Sequence, residues 1–403
     1  MAVFMSHGPT GKSPGPLPFR GGRPLERSRA LFCVATFFYW ASLYLYVPIL
    51  PVYAESVVGK LSLVGIVIAS YALPQLLLRI PIGLFFDSTP RRKPIVALSL
   101  VTCAAGAVGL ALADGAWSLV LARAVTGIGA AGWVAFTVFF TRYYEAATSS
   151  RAIGTINSVN QVALVAATGC GGVLAQARGY EATFYGAALL ALLGLLVLAF
   201  TREPVVVAGA AVRQRLPHVA SRPLLVVAAS MAILLQFANV ASVFGFIPVY
   251  ATRLGASSSQ LGVITMLTLG ASAVAAYTSV RLAERIGYSA ALVGGAVVLG
   301  TSLLVVPLTL TPATLALVQL GSGFGRGSLA TLLMALSIRS APPGARATAM
   351  GVFQAVYAAG MMAGPVVSGL IAETAGLSLV FVASAGLSFA IALLARHPVV
   401  RRA

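Results

Sequence analysis

The chain has 403 residues, 59% of them hydrophobic and 9% charged, with a mean hydropathy of +0.94 and a formal net charge of +18. A soluble domain carries about a quarter charged residues, so this composition excludes an ordinary soluble enzyme or binding module and describes an integral membrane protein. On a soluble chain the positive charge would point to nucleic acid; its placement, set out below, removes that reading.

Residues 1–29 are rich in Gly, Pro and Arg and lack an apolar h-region, which predicts a disordered basic tail rather than a cleaved signal peptide. Apolar runs then recur, each long enough to cross a bilayer as a helix. They lie at 30–52, 61–86, 94–113, 118–141, 152–177, 182–201, 223–250, 258–281, 288–308, 313–338, 348–372 and 377–396. The longest polar interruption, about residues 201–222, divides the twelve into six and six. The expected domains are therefore a bundle at 30–201, a linker at 202–222, a second bundle at 223–396 and a short tail at 397–403.

Basic residues follow a side. Of 27 Lys and Arg, only Lys60, Arg178 and Arg253 fall in loops on one face, and Arg79, Arg123 and Arg326 lie within spans. The other 21 sit on the face that carries the termini. The positive-inside rule then predicts cytoplasmic termini in a plasma-membrane protein and accounts for the net charge without a polyanionic partner.

Between the second and third spans the chain reads Gly83-Leu-Phe-Phe-Asp87-Ser-Thr-Pro-Arg91-Arg92-Lys93. Asp87 closes its helix, where the macrodipole disfavours a carboxylate, and the cations that follow supply partners. The spacing of Gly83, Asp87, Arg91 and Arg92 resembles the loop signature of major facilitator superfamily transporters, with Ser88, Pro90 and Phe85 where the family carries Arg, Gly and Leu. The resemblance implies an all-α membrane fold of twelve transmembrane helices in two parallel six-helix repeats, rocking around a site near the bilayer midplane.

The halves repeat each other. A shift of 197 residues lays Pro51-Val52-Tyr53-Ala54 on Pro248-Val249-Tyr250-Ala251, Gly65 on Gly262, Gly154 on Gly351 and Asn157 on Gln354. It also lays Asp87 on Glu284, beside Arg285, in a weaker copy of the loop signature. A shift of 196 lays Arg123 and Thr126-Gly127-Ile128-Gly129 on Gln319 and Ser322-Gly323-Phe324-Gly325.

Polar groups inside spans mark a cavity or an interhelical bond. Tyr39, Ser42 and Tyr46 share a helix face at i, i+3 and i+7, and the repeat sets Gln236 and Asn239 opposite the first two. The resemblance implies that spans one, four, seven and ten line the cavity. Asn157, Asn160 and Gln161 in span five, Gln319 in span ten, and Gln354 and Tyr357 in span eleven are further lining candidates. Trp40 and Tyr44 offer aromatic surface for stacking or for packing.

The motif around Arg123 resembles the family's fourth-helix motif with Thr126 in place of Gln, which implies coupling or gating; a structural Arg bonded to the backbone is the alternative. Arg79 belongs with the gate around Asp87. Arg326 stands in mid-span with no acidic residue in any span interior, since all nine Asp and Glu occupy tails, loops or span ends. Its partner is an anionic group on a substrate or the carbonyls of its glycine-rich helix.

Antiporter branches of the family carry Gly-Pro-x-x-Gly-Gly in helix five; here that helix has Gly171-Gly172 alone, and Gly364-Pro365 with Ser368-Gly369 appears in helix eleven. Cys33, Cys103 and Cys170 lie in apolar segments, and His7, His218 and His397 in tails or loops, so no metal site is expected. No phosphate loop or nucleophile elbow is present, and neither an enzyme nor a cofactor is expected. The expectation is a monomeric secondary transporter exporting a drug-like or sugar-like compound against protons. The alternatives are movement of an organic anion on Arg326 and Arg123, or a non-transporting sensor or scaffold.

Overall fold

The computed structural model describes residues 23–88, 92–144, 148–203, 220–342 and 345–402. Helices account for almost all of them. The first half runs α1 (Arg23–Tyr44), α2 (Leu50–Val58), α3 (Leu61–Ser70), α4 (Ala72–Ser88), α5 (Lys93–Ala111), α6 (Ala116–Ala131), α7 (Trp133–Thr141), α8 (Ser149–Arg178) and α9 (Tyr180–Ala199). The second runs α10 (Pro223–Ala241), α11 (Ile247–Arg253), α12 (Ser258–Ile286), α13 (Tyr288–Val305), α14 (Pro312–Arg339), α15 (Arg346–Ala375), α16 (Leu377–Leu394) and α17 (Pro398–Arg401).

Joined end to end, α1 with α2, α3 with α4, α6 with α7 and α10 with α11 each make one crossing, and the fold is twelve passes in two repeats of six. Ten of these are long and apolar enough to cross a membrane by length and composition. The other two are passes one and ten, which carry Tyr39, Ser42, Gln319 and Arg326. The helices extend beyond the apolar runs. Residues 23–29, expected in the tail, are the first turns of α1, because Pro24 tolerates a helix start and Glu26 favours its positive end. Val400 of the closing tail is buried on α17.

Passes one and seven break at the same repeat position. Residues 45–49 form turns between α1 and α2, and a single π-helical stretch, Ser242–Phe246, joins α10 to α11. A shift of 197 carries one onto the other. Pro48 and Pro51 in pass one, and Pro248 in pass seven, lack the N–H that would bond the carbonyl four residues back. Such breaks often mark functional sites in otherwise regular helices.

The halves meet along two repeat-related seams: α3 of pass two against α15 of pass eleven, and α8 of pass five against α12 of pass eight. A Cβ on Gly65 would overlap the Pro365 carbonyl oxygen, and one on Gly172 would lie 2.7 Å from the Gly262 Cα. Glycine is what allows these backbones to touch. Both crossings lie toward the face away from the termini. There the buried core continues from the first half into Phe246, Ile247, Leu261, Ile264, Ala372 and Phe381. Toward the termini, a separate core of Leu225, Leu292, Leu329, Leu333 and Phe353 stays within the second half.

Candidate functional site

Three arginines lie inside the spans, and their surroundings differ. Arg123 of α6 is buried, and its Nη1 donates to the Tyr46 hydroxyl at 3.1 Å and to Thr126 Oγ1 at 3.4 Å. Its guanidinium lies 4.1 Å from the centroid of the Tyr71 ring. Two tyrosines and a threonine thus replace the water the cation lost, by hydrogen bonds and the negative face of a ring.

Arg79 of α4 donates to Gln75 Oε1 at 2.7 Å and to the Tyr357 hydroxyl at 3.3 Å. The second bond crosses from one half to the other and continues the α3–α15 seam toward the termini. Arg326 of α14 has neither treatment. Like Arg79 and Arg123 it leaves its Nε buried and unpaired, but it makes no hydrogen bond or ion pair to any described residue, and its one ring contact is Phe244 at 5.9 Å. Among the described residues the only ion pair is Arg253 with Glu55, 3.3 Å apart on the face away from the termini.

The polar face expected on pass one divides. Tyr46 reaches Arg123, but Tyr39 and Ser42 are buried within the first half rather than lining a cavity. The Tyr39 hydroxyl donates to the Gly129 carbonyl at 2.9 Å, its ring stacks on Phe136 at 4.2 Å, and Ser42 Oγ donates to the Tyr39 carbonyl at 2.8 Å. The Gly129 carbonyl, which also accepts the Gly132 N–H at 3.1 Å where α6 gives way to α7, takes the Tyr39 hydroxyl on its second lone pair. Trp40, on the neighbouring face, meets Tyr44 and Trp133, and Tyr44 in turn meets Phe244 across the halves at 5.9 Å. Gln236 Oε1 accepts from Asn239 Nδ2 at 3.1 Å, and Asn239 Oδ1 is left without a partner. Gln319 is fully buried, with neither amide atom paired.

Gln161 lies two turns before Thr168 and three before Gly172, on the α8 stripe that packs against Gly262 of α12, and Asn157 extends that stripe one turn further toward the termini. Asn157 is exposed and Asn160 and Gln161 half-buried. Gln354 and Tyr357, both half-buried, hold corresponding places on α15. The stripes that carry the seam glycines thus continue toward the termini with polar side chains.

Of the gate residues, Gly83 and Asp87 fall in the last turns of α4 with side chains outside the described residues, and Arg91 is outside them altogether. Arg92 is buried, and its backbone N–H donates to Glu203 Oε1 at 2.6 Å, so the start of pass three is anchored to the end of pass six. Glu284 and Arg285 are exposed at the end of α12.

Four features were not anticipated from the sequence: Tyr71 under Arg123, Gln75 beside Arg79, and a matched pair of caps across the halves. Gln176 Oε1 accepts from the Ser258 N–H at 3.1 Å at the start of α12, and Glu373 Oε2 accepts from the Ser62 N–H at 3.2 Å at the start of α3. Gln176 and Glu373 are 197 residues apart, so the repeat carried the signal for this pair.

A family model described as Major Facilitator Superfamily matches residues 32–255 and 229–402. The chain belongs to the major facilitator superfamily. It is a membrane transporter of that type. Among superfamily relatives, it is 24% identical over 380 residues to a probable sugar efflux transporter of Pasteurella multocida, covering 92% of this chain and 91% of that one. It is 32% identical over 157 residues to the inner membrane transport protein YajR of Escherichia coli, a match spanning 38% of this chain and only 34% of YajR. The superfamily fold is also seen in the nucleoside transporter NupG (TM-score 0.77, 14% identity, 91% of this chain and 98% of that one). A bacterial homologue of the human lysosomal transporter Spinster, in an inward-facing and unoccupied conformation, gives a TM-score of 0.76 at 18% identity, covering 93% and 97%.

Proposed function

We propose that this transporter exports a small polar organic solute, sugar-like in its hydroxyl content, by alternating access driven by the proton gradient. The observation that carries the reading is the asymmetry of the seams: glycine crossings and a shared core close the face away from the termini, while the amide-bearing stripes of α8 and α15 extend toward the termini. With the termini in the cytoplasm, as the basic residues favour, this is a carrier closed toward the outside that loads from the cell interior. The sugar efflux relative, matched over 92% of this chain, supports the direction.

In this reading the bundles at 30–201 and 223–396 rock as bodies joined by the linker at 202–222. Gly83, Asp87, Arg91 and Arg92, with Arg79, close the cytoplasmic side in the alternate state, and Arg79 to Tyr357 is the bond already in place. Among the described residues no carboxylate lies inside a span, so the proton rides on Asp87, on Glu55 or on the cargo. The test is flux in proteoliposomes with an imposed pH gradient and a panel of cationic dyes, sugars and organic anions. Gradient-driven flux lost in Asp87→Asn supports the reading; flux indifferent to the gradient, or intact in Asp87→Asn, contradicts the coupling or the gate respectively.

A further inference from the structure

We infer that the exported solute is an organic acid and that its single carboxylate is held by Arg326; this rests on the transport reading above and names the chemistry of its cargo. The stripe Gln319, Ser322 and Arg326 recurs at i, i+3 and i+7 on one face of α14. The other faces are spoken for. A Cβ on Gly321 or Gly325 would meet Ser302 or Leu299 of α13, one on Gly323 or Gly327 would meet Thr268 or Ser272 of α12, and Phe324 is exposed. The stripe is therefore turned opposite Phe324, toward the bundle interior, and Phe244 at the break in pass seven confirms the direction for Arg326.

On this face every member carries an unpaired buried atom: both amide atoms of Gln319, Ser322 Oγ and Arg326 Nε. Gln319 and Ser322 are fully enclosed by protein, whereas Arg326 is half-buried, so the guanidinium is the group on this face that a solute can reach. A water molecule can relieve an amide or a hydroxyl. It does not neutralise a guanidinium in a low-dielectric interior, which needs a counter-charge.

Arg123 is the internal control. Arg123 is buried and Arg326 half-buried, and both leave Nε unpaired, but tyrosines and a threonine engage the Arg123 guanidinium while Arg326 has no hydrogen-bond partner among the described residues. One planar guanidinium matches a carboxylate through two parallel N–H donors. Phe244, with Tyr44 against it, gives an apolar surface next to the charge.

The test uses the full-length protein in proteoliposomes with matched acid and neutral solutes: glucuronate against glucose, and phenyl glucuronide against phenyl glucoside. The wild type is expected to move the acid of at least one pair, and Arg326→Gln to lower apparent affinity for it by roughly ten- to a hundred-fold, the loss of a charge-assisted bond. Arg326→Lys, which keeps the charge but loses the fork, is expected to retain part of the flux. Thermal unfolding of each variant, with and without the acid, separates lost binding from lost folding: the acid should raise the Tm of the wild type and not that of Arg326→Gln. Movement of the neutral members alone overturns the inference and leaves the transport reading standing. Acid flux that survives Arg326→Gln unchanged also overturns it. A wild type that moves no member of either pair contradicts both.

Discussion

Arg123 and Arg326 carry the same charge inside the spans, one buried and one half-buried, and the groups around them set opposite expectations for stability. Removing Arg123 strips two tyrosines and a threonine of a partner, so Arg123→Gln should lower unfolding stability by about 2 kcal/mol, the range for lost hydrogen bonds to a charged group. Removing Arg326 deletes a half-buried charge that has no acceptor among the described residues, so Arg326→Gln should leave thermal stability unchanged or raise it. Thermal unfolding of the two purified variants checks this, and equal losses in both would show that Arg326 is structural. The sequence located both arginines, because a cation in an apolar run is conspicuous. It could not distinguish them, because Tyr71 and Tyr46 reach Arg123 from different passes. The same limit explains Tyr39 and Ser42. Helical spacing correctly put them on one face with Tyr46, but spacing says nothing of which neighbour that face meets, and Tyr39 turned to the Gly129 carbonyl.

Helices α3, α8, α12 and α15 form the seams between the halves, and small residues let them approach. A side chain at Gly172 cannot coexist with Gly262 at this distance, so Gly172→Val should hold the face away from the termini open. A cysteine at Ser56, placed in a chain whose native cysteines are replaced by serine, should then react several-fold faster with a membrane-impermeant maleimide. Unchanged reactivity would mean that the crossing does not seal that face. The caps on α12 and α3 act in the same sense: Gln176→Ala and Glu373→Ala should each weaken the closed state by about 1 kcal/mol. Because they sit on separate seams their effects should add, and the same labelling assay checks the sum. The twelve passes were legible from run length. The breaks at 45–49 and Ser242–Phe246 were not, since Pro51 and Pro248 read equally well as residues near a helix start.

At the scale of the whole molecule, the repeat is the organising fact. One shift of 197 residues relates the breaks of passes one and seven, the caps Gln176 and Glu373, and the seam glycines Gly65 with Gly262 and Gly172 with Gly369. Two similar bundles packed through matched seams have two ways to close, one at each face, which is the requirement for alternating access. Double electron–electron resonance tests that most directly, with spin labels at Ser56 and Thr252 on the face away from the termini and, in a second sample, at the repeat-related exposed glycines Gly154 and Gly351. The account predicts a short distance for the first pair and a long one for the second in the free protein, with phenyl glucuronide lengthening the first as it shortens the second. Distances that stay fixed, or that change in the same sense at both faces, would contradict it.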